Sequence, residues 1–219
     1  KLAESLEALV LTVKFGVAAF MPSLEKAREL ARALVALANE SGVNTRALLT
    51  DMHTPLGRAA GNWLEVKESV ECLENRGPKA LRELVLACAA HLLVQTGKAP
   101  SLDAALEQAD DCLTSGKPRE KWDEMLAAQG ADLAALSRKL ALDHTAPVVV
   151  ELKAEASGFV ARCDARIIGE VVRDLGGGRF TKESKINYDV GVDNLAKPGE
   201  PVQSGGVLTR IHAADRAQA

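Results

Sequence analysis

The sequence predicts an α/β fold, part of a mixed or parallel sheet with flanking helices, followed by a small α+β C-terminal module. Three observations carry this. Ala8–Val13 (ALVLTV) is a continuous apolar run, as in a strand buried on both faces, and Val43–Thr50 reads as the next strand. Between them, Leu24, Ala27, Leu30, Ala31, Leu34, Leu37 and Ala38 recur at helical spacing. After about Pro147 the pattern changes to short strand-like runs broken by glycine clusters.

The first three elements form a β–α–β unit, which closes right-handed and parallel. Ser23 is an N-cap for its helix and Gly42 a stop signal. This geometry puts the loops 14–22 and 51–58 at the carboxyl edge of the strands, where α/β folds bind ligands. Helices are expected over Asn62–Asn75, Lys79–Gln95, from Ser101 to about Gly116, and Pro118–Gln129. In the last part, Val148–Leu152, Gly158–Cys163 and Gly206–Ile211 read as strands, and Asp164–Leu175 as one helix. Gly176–Gly178, Lys197–Pro201 and Ser204–Gly206 read as turns. The domains expected are 1–145 and 146–219, with residues 1–5 the end of a helix of a preceding small α domain.

The chain has 219 residues, 47% hydrophobic and 26% charged, with a net charge of -3. That supplies one full core and argues against nucleic-acid and membrane-surface partners. No apolar run approaches the ~20 residues of a membrane span, and no secretory leader is read. Cys72, Cys88, Cys112 and Cys163 form no CxxC pair and the histidines are scattered, which argues against zinc. Cys72 and Cys88 fall at apolar helical positions and read as buried free thiols, in keeping with a cytoplasmic location.

The most informative stretch is Leu48–Glu68, LLTDMHTPLGRAAGNWLEVKE, a strand running through a Pro/Gly loop into a helix. With its neighbours it resembles the pyrimidine nucleoside phosphorylase/thymidine phosphorylase family. The residues carrying the likeness are Val13-Lys14-Phe15-Gly16 with Ala19-Phe20-Met21, Thr50 to Gly57, Gly61-Asn62 with Leu64 to Glu68, and Gly77-Pro78 with Leu81 to Leu84. Ser157 to Val160, Asp164-Ala165-Arg166 with Ile168-Gly169, and Leu175 to Arg179 continue it in order.

The resemblance implies phosphorolysis of a pyrimidine (deoxy)nucleoside to free base and (deoxy)ribose 1-phosphate by a homodimeric pentosyltransferase. Inorganic phosphate is the co-substrate and no organic cofactor is needed. It implies that Phe20 packs beside the pyrimidine ring, and that Leu56, Ala59 and Glu68 ligate a structural monovalent cation, K+. Two carbonyls and a carboxylate are hard oxygen donors suited to a hard cation. It places a base-binding Lys just before Lys1, and a base-binding Arg and a Gly/Ser/Thr phosphate loop further upstream. It therefore assigns no catalytic residue within the chain, and the expectation is an incomplete piece, inactive alone. Thr12, Val17, Ala18 and His53 depart from the family pattern, leaving thymidine versus uridine open.

Plainer readings stand beside these. Phe20 could be a core aromatic. Glu68, near Glu65, Lys67 and Glu71, could belong to a solvated face. Asp51 could cap a turn, His53 could be a surface loop residue, and Gly176–Arg179 reads as a structural turn because it lacks a phosphate-loop context. Two other functions remain: an AMP phosphorylase-like enzyme, or a biotinyl/lipoyl-like structural module suggested by Gly199, Val202, Gly205 and Leu208, where no modifiable Lys is found.

Overall fold

A computed structural model describes residues 2–219, with the Leu2 side chain left out of the description. The chain divides into two compact units, residues 1–53 with 79–115 and residues 54–78 with 116–219. The boundary expected at 145/146 falls inside the second unit.

In the first unit, Leu2–Glu4 is a single 3-10 turn and Lys1 lies outside the described residues. Strand β1 (Ala8–Phe15) and strand β2 (Asn44–Asp51) pair in parallel, in register from Ala8 opposite Asn44 to Phe15 opposite Asp51. Helix α1 (Leu24–Glu40) connects them, and the Ser23 hydroxyl accepts from Lys26 N at its start, as its capping role requires. Ala27 and Ala31 of α1 pack on Val13, with Leu11, Phe15 and Leu49 around them. Small residues on α1 let the helix approach the sheet closely. Helices α3 (Lys79–Gln95) and α4 (Leu102–Thr114) complete this unit through Leu86, Ala109 and Leu113.

The second unit contains helix α2 (Asn62–Leu73), α5 (Lys117–Ala128) and α6 (Leu133–Leu140). Helix α6, capped by Asp132, was not expected, although Leu133, Leu136 and Leu140 carry its spacing. Strands β3 (Val148–Lys153), β5 (Gly191–Asp193) and β7 (Val207–Ala213) form an antiparallel sheet in the order β3-β7-β5. The short pair β4 (Gly158–Phe159) and β6 (Pro201–Val202) stands apart. Helix α7 (Ala165–Val172) is capped by Asp164 and runs into a wider turn over Arg173–Gly177. The turn is structural: Gly176 has φ +93° and its carbonyl accepts from Asn187 N, while the Gly177 carbonyl accepts from the Asn62 amide. Among the described residues no helix is long and apolar enough to cross a membrane.

The sheet of the second unit carries a half-buried charge cluster. Arg210 forks onto Asp193, with Nε–Oδ1 2.7 Å and Nη2–Oδ2 2.5 Å, and also reaches Asp143 at 3.0 Å. The His212 ring is fully buried, with Nε2 3.1 Å from Asp193 Oδ2 but out of line for a hydrogen bond. Burial works to raise the Asp193 carboxyl, but the Arg210 fork and His212 outweigh it and hold the pKa at about 2, against an ordinary 3.8. A carboxyl depressed on folding stabilises above its unfolded pKa and loses that contribution as pH falls through the folded one. Asp193 therefore contributes at most about 2 kcal/mol at neutral pH, lost between about pH 4 and pH 2. Arg210→Met, leaving that carboxylate unpaired, is expected to cost about 3 kcal/mol and flatten this acid limb, both measurable from urea midpoints across the pH range.

Candidate functional site

Two loops leave the carboxyl edge of the β1–β2 pair. They meet where Met52 N donates to Phe15 O at 2.7 Å and Ala18 N to Met52 O at 3.4 Å. Gly16, at φ +123°, allows the approach: a Cβ there would lie 2.8 Å from His53 N. Asp51 caps the second loop, its Oδ1 accepting from His53 N at 2.7 Å and meeting His53 Nδ1 at 2.6 Å. That is a turn-capping role. Lys14 donates to Thr12 Oγ1 at 2.7 Å along the same strand face. Phe20 lies in the first of these loops and is fully exposed, so the core-aromatic reading does not hold.

The second unit holds Leu56, Ala59 and Glu68. Glu68, on α2, turns back onto the loop that precedes the helix. Its Oε1 accepts from Arg58 N at 2.7 Å, and Ala59 N also donates to the carboxylate. The solvated-face reading of Glu68 is thereby set aside. Burial pushes its carboxyl above the ordinary range, against the two backbone donors and the Lys197 ammonium. Gly57 makes room for this arrangement, since a Cβ there would sit 1.7 Å from Glu68 Oε2.

The loop carbonyls divide into two sets. Those of Pro55 and Gly57 accept from Lys197 Nζ, that of Arg58 from Leu195 N at 3.0 Å, and that of Ala60 from Val192 N at 2.8 Å. Between Pro55 and Ala60, the carbonyls without a protein donor among the described residues are those of Leu56 and Ala59. They are the two carbonyls that the sequence resemblance assigns to a cation. With the Glu68 carboxylate they are all hard oxygen donors, the donor chemistry that a hard monovalent ion takes. Ala59 and Glu68 also line a polar cavity of about 540 Å3, with Arg58, Lys67, Asp193 and Arg210 among its walls.

The ring of contacts around this loop was not anticipated. Arg58 Nη1 donates to Glu200 Oε2 and to Leu195 O, each at 3.0 Å, and its second terminal nitrogen completes the fork to Glu200. The Arg58 guanidinium and Lys197 N hold the Glu200 carboxyl at about 2. In the sequence, Lys197 reads only as part of the turn Lys197–Pro201. A lysine beside Pro198 and Gly199 gives no sequence signal of a carbonyl ligand, because such lysines are ordinarily solvated.

Comparison with known proteins bears on the whole chain. A family model described as the pyrimidine nucleoside phosphorylase C-terminal domain matches residues 159–219. A second, described as the glycosyl transferase family a/b domain, matches residues 1–119, more than half of the chain. The chain belongs to the pyrimidine nucleoside phosphorylase family of glycosyl transferases. It is 39% identical over 213 residues to a pyrimidine-nucleoside phosphorylase of Staphylococcus haemolyticus strain JCSC1435, covering 97% of this chain and 49% of that protein. It matches the pyrimidine-nucleoside phosphorylases of Staphylococcus aureus strains USA300 and NCTC 8325 with the same identity and coverage. The chain spans about half the length of the curated relatives it matches.

Proposed function

We propose that the protein to which this chain belongs catalyses phosphorolysis of a pyrimidine (deoxy)nucleoside. An oxygen of inorganic phosphate bonds to the anomeric carbon of the sugar as the bond to the base nitrogen breaks, releasing free base and pentose 1-phosphate. The observation that carries this reading is the Leu56–Ala59–Glu68 bracket, whose two undonated carbonyls fall at the positions given by the family motif. A bound K+ would supply a fixed positive charge linking these three groups.

The residues of the chain contribute positioning rather than proton transfer. Glu68 gathers the Arg58 and Ala59 amides and so fixes the backbone of its own loop. Phe20 offers an aromatic face with no packing duty in its own unit. Holding reactants in one geometry removes entropy that the chemical step would otherwise have to supply. The reading carries with it a homodimer in the cytoplasm, with phosphate and a pyrimidine nucleoside as partners.

The test is release of uracil or thymine by the full-length protein, followed with and without phosphate. Phosphate-dependent release is expected, with pentose 1-phosphate formed in equal amount. Release that does not need phosphate, or none from any pyrimidine nucleoside, contradicts the reading. Phe20→Ala is expected to raise the KM for nucleoside about tenfold, the scale of a lost base–aromatic contact. The unfolding midpoint should stay unchanged, since the ring is fully exposed.

A further inference from the structure

We propose that Lys197 is a positioning residue for the cation bracket: its ammonium binds the carbonyls on either side of Leu56 and so sets the one between them for the ion. The inference rests on the cation reading of Leu56, Ala59 and Glu68 and extends it to a residue far away in sequence.

Lys197 is itself held firmly. Its backbone N donates to Glu200 Oε2 at 2.8 Å, and Glu200 N donates to Lys197 O at 3.0 Å. The same Glu200 carboxylate forks onto Arg58, while Leu195 and Arg58 exchange a backbone bond and a side-chain bond of 3.0 Å each. From this braced turn the Lys197 stem reaches back to Pro55 O and Gly57 O. The ammonium is half-buried and close enough to Glu68 to help hold the carboxylate charged.

Two consequences follow from the chemistry. The Leu56–Gly57 peptide is flanked by peptides that cannot rotate without giving up a charged donor. With Lys197 and two backbone amides occupying four of the six carbonyls from Pro55 to Ala60, an entering ion meets one arrangement of donors instead of several. Groups that orient the ligands of an ion in this way tune its affinity without touching it.

A simple tether and a positioning residue differ in what K+ does. Removing a positive charge beside an ion should, by electrostatics alone, tighten ion binding. Loss of positioning should weaken it. The experiment titrates KCl into the full-length protein at constant ionic strength, reading the K+-dependent rise in melting temperature and, separately, phosphorolysis. For Lys197→Met the K+ midpoint is expected to rise about tenfold or more, as when an outer partner of an ion site is removed. Lys197→Arg, which keeps the charge but replaces a compact ammonium with a planar fork, should shift the midpoint the same way by less. It carries the test alone if the Met variant does not fold. A midpoint unchanged or lowered in the variants overturns the proposal, whatever happens to the melting temperature without K+. A wild-type protein whose melting temperature ignores K+ overturns the cation reading and this inference with it. A K+ response without phosphorolysis leaves the proposed reaction refuted and the Lys197 test intact.

Discussion

Gly191→Ala is expected to unfold much of the second unit at temperatures where the wild type is stable. Gly191 opens β5 at φ +151°, and a Cβ there would lie 2.3 Å from Ala60 O and 3.0 Å from the Gly61 Cα. Gly61 faces it at φ +137°, with a built Cβ 2.6 Å from Val190 O. The two glycines let the start of α2 lie against β5, where Ala60 and Val192 exchange backbone hydrogen bonds of 2.9 and 2.8 Å. Every clashing atom at Ala60 and Gly61 is backbone, so no side-chain rotation relieves it. Strain at such a φ is worth about 1–3 kcal/mol and forced overpacking a similar amount, which together make about 4 kcal/mol. Thermal unfolding followed by circular dichroism measures it. A midpoint within a degree or two of wild type would show that the contact relaxes more easily than its geometry allows.

Gly57→Ala is expected to do the opposite: to spare the fold and disable the proposed cation site. Gly57 is not in the left-handed region, so its backbone accepts an alanine. The new methyl would fall on the Glu68 carboxylate, the mobile end of a side chain, which can swing away. In doing so it abandons the Arg58 and Ala59 amides and leaves the bracket one ligand short. The K+ midpoint should then rise by about tenfold or more, and Glu68→Gln should match it. Equal K+ response in wild type and Gly57→Ala would mean that Glu68 is no ligand.

Strand β1 is legible from its apolar run Ala8–Val13, although only Val13 of it is fully buried, and α1 because alanines and leucines repeat on one side. Strand β5 is not. It is three residues long and begins with a glycine whose only purpose is the close approach to Gly61. The wide turn after α7 reads as structural because Gly176–Arg179 lacks the strand–GxxxxGK–helix context of a phosphate loop, and its carbonyls accept from Asn187 N and the Asn62 amide.

For the site, the legible part was the motif and the illegible part its mechanism. Leu56 and Ala59 would act through main-chain carbonyls, which no side chain reveals. Which carbonyls are already taken depends on Leu195, Val192 and Lys197, more than a hundred residues along the chain. Asp51 and His53, chemically the most suggestive pair of the loop, bond to each other.

Phosphate-dependent release of pyrimidine base by the full-length protein, titrated with K+ and compared with Glu68→Gln, tests the proposed bracket and the proposed reaction together. Release is expected to rise with K+, and the K+ midpoint of the variant to be displaced upward by about tenfold or more. Full release without K+, identical in both proteins, would contradict the proposed bracket.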